Sequence, residues 1–303
     1  MVQVRTFSSV FLFFLSETKS IAAFSGTFAP VSELLSKHSS NIAFLKDEAA
    51  AVSDASSIPC DDIFYLRYCV EYDDDIKEAA LALAENIKWR NNEGKSLCDA
   101  ASSAVEKAMS NPEKWDNTAV RDSAPHASIV NEYITSSSIL TTTSTQGDLV
   151  YCIRAGQIDD LALMTKISVE DMADFFLYCK EVNSIVANKR SLSSDRLVTI
   201  ITANDLSGVS LFGDATFRKA LSAGSKKAST LYPSLNGPTL LLNLPKLLGG
   251  LVKLFTPLFS AEVRKKLRFE QGPLKDIGDL TDIMGGDGRD KFMKEIDTLV
   301  YSD

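Results

Sequence analysis

The sequence predicts an α/β fold in which a helical N-terminal module precedes a mixed, mainly parallel sheet flanked by helices. Between about residues 61 and 109, apolar residues recur at the spacing of amphipathic helices. From residue 149 onward, short apolar and β-branched runs alternate with longer helical patterns. Two of these runs, 197–203 and 239–244, are almost continuously apolar, as expected for strands covered on both faces of a sheet.

The helical module is delimited by local signals. Its predicted helices are 61–72, 76–90 and 97–109. Asp61 and Asp62 can cap the first helix, because their carboxylates can accept hydrogen bonds from free backbone amides. Pro112 follows the third helix. Residues 111–146 are polar and rich in Ser and Thr, which predicts a connection with one short helix near 127–135.

The second half of the chain supplies the predicted sheet. Strands are predicted at 149–154, 197–203, 239–244 and 267–270, with helices at 168–189, 213–231, 247–255 and 261–266. Ser168 can cap the longest of these helices, and Met172 and Phe176 belong to its apolar stripe.

The N-terminus has the order of a signal peptide. A single cation, Arg5, precedes the apolar run 10–15, and the small residues Ala22 and Ala23 follow it. The run is far shorter than the roughly 20 residues that span a bilayer. Together with Phe24, this segment resembles the presequences of secondary plastids. We therefore predict secretory entry, with such a plastid as one destination. The alternative is a cytoplasmic protein that is peripheral on membranes.

These patterns divide the chain into consecutive segments. They are a signal segment 1–23, a transit or linker segment 24–58, the helical module 59–112, a polar connection 113–146, the sheet-containing domain 147–287 and a C-terminal helix or tail 288–303.

Composition and motifs exclude several classes of function. A net charge of −8 argues against nucleic acid as a partner. Five scattered cysteines and two histidines form no metal-ligand pattern, so we expect free thiols and no metal. Gly94-Lys95-Ser96 is not a P-loop, because Trp89 occupies the position of its first glycine. We therefore expect that the protein is not an enzyme and that it has no catalytic residue and no cofactor.

Short motifs follow one another in a characteristic order along residues 61–286. They are Tyr65-Leu-Arg67-Tyr68, the acidic turn 73–75, Lys88-Trp89-Arg90, the strand and glycine turn 150–159, Asp205-Leu-Ser-Gly208-Val-Ser210, Leu231-Tyr232-Pro233, Asn243-Leu-Pro245, the segments 251–259 and 264–267, and Gly285-Gly286. This order resembles the CRAL-TRIO family, which includes carriers of phosphatidylinositol, tocopherol and retinaldehyde. The resemblance implies a soluble domain that holds one lipid and exchanges it at membranes.

The resemblance also implies where the lipid lies. The expected pocket residues are Tyr151, Ile153, Phe176, Ile200, Thr202, Leu206, Gly208, Leu211, Leu240 and Leu242. The expected mobile gate helix contains Leu247, Leu248, Gly249, Gly250, Leu251, Leu254, Phe255 and Phe259. The expected headgroup or membrane contacts are Lys253, Arg264, Lys265, Lys266 and Lys275.

Physical chemistry is compatible with a gate. Gly249 and Gly250 weaken a helix by roughly 1 kcal/mol each relative to alanine. Pro245 and Pro257 flank the segment as hinge points. A buried core helix explains the same residues equally well without the resemblance.

The sequence leaves the ligand and the mode of action open. Ser234 and Val263 depart from the pattern of phosphatidylinositol-binding members, so that lipid is not supported. The expected partners are a lipid and, transiently, a membrane surface. A protein partner that binds the tail 288–303 fits the alternative function, a lipid sensor or scaffold that does not transfer its ligand.

Overall fold

The structure is a computed structural model, and it describes residues 29–52, 61–72, 75–110, 115–144, 146–209, 213–243, 267–274 and 277–301, with residues 267–270 described through their backbone. The predicted signal segment 1–23 lies outside these residues.

The described elements alternate as the sequence predicts. The helices are α1 Val31–Lys37, α2 Ser39–Val52, α3 Asp62–Tyr72, α4 Ile76–Asn91, α5 Lys95–Ala108, α6 Asn117–Asp122, α7 Ala127–Tyr133, α8 Asp160–Met164, α9 Val169–Ser194, α10 Ala215–Leu231 and α11 Gly286–Tyr301. The strands are β1 Ile139–Thr143, β2 Leu149–Arg154, β3 Ile200–Asp205, β4 Asn236–Leu242 and β5 Leu267–Glu270. Short 3₁₀ turns lie at Ala155–Gln157 and Leu280–Ile283.

The five strands form one mixed sheet in the order β1-β2-β3-β4-β5. The pair β1–β2 is antiparallel, and the pairs β2–β3, β3–β4 and β4–β5 are parallel. The predicted fold class, a helical module followed by a mainly parallel sheet flanked by helices, is confirmed. The predicted gate helix lies outside the described residues.

Strand β1 was not predicted, because its sequence, Ile-Leu-Thr-Thr-Thr, is as polar as the connection around it. Threonine is nevertheless favoured in strands, and an edge strand needs apolar residues on only part of its surface. Leu140 is buried while the threonines of β1 are partly exposed. Residues 113–146 are therefore more than a polar connection.

Helices cover both faces of the sheet. On one face lie α9 and α10, whose buried residues form one core with Leu149 and Ile200. On the other face lies α11, whose Phe292, Met293 and Ile296 are buried against the sheet. The apolar side of the predicted C-terminal tail helix is thus occupied, which leaves its polar side for any partner.

The segment 31–52 is folded, which corrects its interpretation as a linker, while its interpretation as part of a transit segment stays a prediction. Val31, Ile42 and Leu45 are buried in the same core as α3 and α4. The backbone N–H of Ser32 donates to Asp195 Oδ1 at 2.7 Å, which ties the start of α1 to the end of α9. Its small, polar composition concealed an apolar stripe that only packing reveals.

Buried arginines join the helical module to the sheet-containing domain. Arg67 donates hydrogen bonds to Asn188 Oδ1 at 2.8 Å and to the carbonyls of Ser234 and Val198 at 2.6 and 2.8 Å. Arg90 forms a bidentate ion pair with Glu181 of α9, with N–O distances of 2.8 and 2.7 Å. Both arginines belong to motifs singled out in the sequence, and the structure assigns them a part in holding the modules together.

Candidate functional site

A cavity of about 260 Å³ lies between the sheet and helices α8, α9 and α10. Its floor is formed by alternate residues of four strands, since successive side chains of a strand point to opposite faces. The floor residues are Ile139, Tyr151, Ile153, Thr202, Asn204 and Thr239. Most of the exposed surface inside this cavity is apolar, which suits an apolar ligand.

The strand register arranges the floor in rows. Tyr151, Thr202 and Thr239 lie side by side in one cross-strand row. In the next row Asn204 lies between Ile153 and Leu241. The floor therefore has polar side chains in the middle of an apolar surface.

Helices α9 and α10 form the opposite wall. Phe176 of α9 and Phe217 of α10 meet edge to face, with ring centroids 6.0 Å apart. Gly224 lets the two helices approach closely, because a Cβ at this position would lie 3.2 Å from the Cβ of Phe176. The remaining wall residues are Cys179, Lys180, Asn183, Arg218, Leu221, Ser225 and Ala228.

Two glycines shape the rim, where the turn after β2 meets the loop after β3. A Cβ on Gly156 would lie 2.3 Å from the carbonyl oxygen of Ser207, so only glycine fits there. Gly208 has a φ of +73°, a conformation that favours glycine. Gly156 and Gly208, which both belong to quoted motifs, are therefore favoured at the rim by the geometry of the backbone.

A buried network fixes the ends of the strands beside this rim. Asp205 accepts hydrogen bonds from Ser207 N at 3.0 Å and from Asn243 Nδ2 at 3.1 Å. Asn243 in turn accepts one from Gly272 N at 2.8 Å, so it links the residues just after β4 and β5. Arg154 lies 3.7 Å from Asp205 and donates to the carbonyls of residues 274, 277 and 278. The aspartate of the Asp-Leu-x-Gly motif thus organises the carboxyl edge of the sheet.

The structure brings together part of the predicted pocket. Tyr151, Ile153, Phe176, Thr202, Leu206 and Gly208 all line the cavity. Ile200 faces the same side of the sheet, but it packs in the core below the cavity.

The structure corrects the prediction that Leu240 and Leu242 belong to the pocket. They point to the other face of the sheet, where they pack with Leu280 and Phe292 under α11. Because β4 is apolar on both faces, the sequence did not show which of its residues face the cavity, and the structure places Thr239 there.

The remaining predicted site residues lie outside the described residues. This holds for Leu211 of the pocket, for all the residues assigned to the gate helix, and for Lys253, Arg264, Lys265, Lys266 and Lys275.

Sequence reasoning missed the contribution of α10 and of Asn204. The amphipathic pattern of α10 could have indicated its buried side, which includes Phe217 and Ala228. Asn204 directly follows the apolar run 197–203, and a polar residue at the end of such a run was the available signal.

Ser234, one of the two residues at which the sequence departs from the pattern expected for phosphatidylinositol binding, lies at the junction between the modules. It is 2% exposed, and its N–H and hydroxyl both donate to Glu71 at 2.9 Å. Ser234 is not among the described lining residues of the cavity.

The described cysteines are free thiols. Burial raises the pKa of Cys179 in the cavity wall to about 11, and its hydrogen bond with Tyr151 only partly counteracts this. Burial also raises the pKa of Cys69 to about 11. Within the described part of the chain, no three His, Cys, Asp or Glu side chains are grouped as metal ligands, and no helix is long and apolar enough to cross a bilayer.

The fold and the cavity define the class of protein: an α/β domain that encloses an apolar cavity between one face of its sheet and the covering helices. A family model described as the CRAL/TRIO domain matches residues 136–281. The chain contains a CRAL/TRIO domain, and the family predicted from the motifs is confirmed. This family is known for lipid binding and transfer, and its members are generally carriers rather than enzymes.

Other comparisons add little. Among solved structures, the crystal structure of Sfh5 is similar to this chain at 19% sequence identity and a TM-score of 0.42. The similarity covers 69% of this chain and 64% of Sfh5, so the chain spans less than two thirds of the length of that protein. No curated protein matches the sequence closely enough to count as a relative.

Proposed function

We propose that this protein binds one apolar or amphipathic lipid in the cavity and exchanges it at membrane surfaces. The observation that carries the proposal is the cavity itself, which lies between the sheet and helices α8, α9 and α10 of a CRAL/TRIO domain. Apolar side chains dominate its surface, so water inside it would find few hydrogen-bond partners. An apolar ligand can replace that water at low cost.

For transfer, the protein needs to bind the lipid only about as strongly as the membrane does. Leaving water gains about 0.8 kcal/mol per buried methylene, or on the order of 12 kcal/mol for a chain of about 16 carbons. Most of this gain is also available in the bilayer. A carrier therefore needs a binding free energy close to that of the membrane and a way to open there, a role we assign to residues 247–259.

The bound molecule is proposed as cargo, and we propose no enzymatic activity, cofactor or metal. Secretory entry with a plastid destination stays a prediction from residues 1–24. Fusion of these residues to a fluorescent protein, with microscopy of the product, tests it.

Blocking the cavity tests whether it holds the lipid. Ala228 on α10 is 3% exposed and lines the cavity, whereas Ala223 lies on the exposed side of the same helix. We expect Ala228→Phe to fill much of the cavity and to abolish co-purification of lipid. Ala223→Phe makes the same change of residue at the surface and should retain the lipid. Native mass spectrometry with lipid extraction measures both.

The outcome has three forms. A single lipid per wild-type chain that is lost only in Ala228→Phe supports the proposal. Equal lipid in both variants places the ligand elsewhere. A wild-type protein that stays empty after exposure to total-cell lipid contradicts lipid binding.

A vesicle assay separates the carrier from the sensor or scaffold. Lipid should move from donor to acceptor vesicles faster with protein than without it. Replacing Arg264, Lys265 and Lys266 together with alanine should slow transfer to anionic vesicles more than to neutral ones, because each cation near an anionic surface contributes about 1 kcal/mol. Binding without transfer would favour the sensor, and equal slowing on both vesicles would remove the membrane role of these cations.

A further inference from the structure

One polar side chain of the cavity floor has an unmet hydrogen-bonding capacity. Asn204 is 1% exposed and lines the cavity. Its side-chain Nδ2 is buried and finds no hydrogen-bond partner among the described residues. Buried amide groups are almost always paired in native proteins, so an unpaired one requires an explanation.

The strand register explains why the protein offers no partner. Asn204 pairs with Ile153 on one side and with Leu241 on the other, and neither side chain can accept a hydrogen bond. In the same row Ile153 is followed by Ile139 of β1. The amide group is thus flanked along its row by aliphatic side chains, and Asn204 itself lines the cavity.

The described charged side chains that line the cavity, Asp160, Lys180 and Arg218, are engaged within the protein. Lys180 donates to Asn236 Oδ1 at 2.8 Å. Asp160 accepts from the backbone N–H of Asp214 at 2.7 Å, and Arg218 donates to the carbonyl of Gly213. These groups stabilise the rim and the wall. Among the described lining residues, Asn204 Nδ2 is the buried side-chain atom that lacks a hydrogen-bond partner.

We propose that the natural ligand carries a hydroxyl or carbonyl oxygen that accepts a hydrogen bond from Asn204 Nδ2. The inference rests on the proposed lipid-binding function and narrows its ligand class. The cargo is an oxygen-bearing lipid, such as a long-chain alcohol, ketone or ester, and a plain hydrocarbon is disfavoured. Its oxygen is flanked by apolar groups, because the amide donor is flanked by Ile153 and Leu241. A site that hydrogen-bonds an oxygen discriminates against analogues that lack it.

Three probes of equal chain length test this proposal: dodecane, dodecan-1-ol and dodecan-6-one. Their affinities for the full-length protein are measured by displacement of a fluorescent apolar probe. Comparing the ratio of affinities between variants cancels the different water solubilities of the probes. The alcohol and the ketone distinguish a terminal oxygen from one inside the chain.

The test variant is Asn204→Leu, which removes the amide and nearly preserves side-chain volume. We expect the preference for the alcohol or the ketone over dodecane to fall about tenfold, the usual effect of one hydrogen bond. We also expect the empty variant to melt at a higher temperature than the empty wild type, because it no longer buries an unpaired amide. Asn92→Leu makes the same replacement at an exposed position outside the cavity and should leave the ratio of affinities unchanged. Because it removes the 2.7 Å hydrogen bond from Asn92 Nδ2 to the carbonyl of Lys88, it should not raise the melting temperature.

The outcomes separate this inference from the proposed function. If none of the three probes binds the wild type, lipid binding itself fails. If all three bind and Asn204→Leu leaves their ratio unchanged, the cavity binds lipid but Asn204 does not select it. A lower melting temperature of the empty Asn204→Leu protein would show that the amide already has a partner, which also overturns the inference.

Discussion

The ion pair between Arg90 and Glu181 gives a quantitative test of how the helical module is held to the CRAL/TRIO domain. The two side chains are 8% and 5% exposed, and two N–O distances of 2.8 and 2.7 Å join them. Arg90 Nε also donates to Asn86 Oδ1 at 2.7 Å. Burial lowers the pKa of Arg90, but the charge and hydrogen bonds of Glu181 outweigh burial and hold that pKa well above its ordinary value.

Removing one partner leaves the other charge buried without compensation. Arg90→Met or Glu181→Leu should each lower the free energy of unfolding by about 3–5 kcal/mol. If these losses were independent, the double variant would lose about 6–10 kcal/mol, comparable with the total stability of a typical domain. Because both losses arise from one pair, we expect the double variant to lose only about 1–2 kcal/mol, mainly through the lost partner of Asn86.

Urea denaturation followed by circular dichroism measures these free energies. The exposed pair Lys95–Asp99, whose side chains are 62% and 65% exposed, is the matched control. Lys95→Met should cost less than about 1 kcal/mol. A double variant at 90 and 181 that is as unstable as the sum of its singles would refute the coupling on which this reasoning depends.

Three further predictions concern the cavity. With a pKa of about 11 against an ordinary 9.0, the native Cys179 thiol should react with iodoacetamide at pH 8 about a hundredfold more slowly than in the unfolded chain, and bound lipid should slow the reaction further. Mass spectrometry of the labelled peptide measures both rates, and fast labelling of the native protein would contradict the burial of this thiol. Tyr151 lies between the main cavity and a smaller one of about 50 Å³, so Tyr151→Ala should join them and shift the preferred ligand to longer chains, as tested with alcohols of increasing length. Gly156→Ala should lower the free energy of unfolding by about 1–3 kcal/mol through its clash with Ser207, whereas Gly208→Ala should lower it by only about 1 kcal/mol through backbone strain, because a Cβ there meets open space. Equal denaturation midpoints of the two variants would contradict the geometry of the rim.

Local sequence signals determined most elements of the fold. Asp75, Ser168 and Asp214 cap the helices that follow them, each by accepting backbone hydrogen bonds over two or three residues. Such signals need no knowledge of distant contacts, which is why helices α3, α4, α9 and α10 begin where the sequence predicts, within about two residues. The order of motifs was sufficient for the family, because backbone requirements such as those of Gly156 and Gly208 are recorded in residue type.

The face of the sheet to which a side chain points, and the group with which it forms a hydrogen bond or ion pair, depend on residues that are distant in the chain. In β2, Tyr151 faces the cavity and Cys152 packs under α11. By residue type alone, either residue could lie on either face of the sheet. In β4 the sequence is apolar on both sides, so Thr239 was overlooked and Leu240 was misplaced. Periodicity identifies two faces of a strand, but only the helices packed on them decide which face encloses a cavity.

The same limit applies to the polar groups. The sequence shows Arg90 and Glu181 as two charges separated by 91 positions, and folding makes them one buried pair. It shows Asn204 as a polar residue next to an acidic one, and only the register, which places Ile153 and Leu241 beside it, leaves its amide without a partner. Burial and hydrogen-bond pairing are properties of the surroundings of a side chain. The sequence therefore determined the fold and the family, and the tertiary structure decided which residues form the cavity and which of them can recognise a ligand.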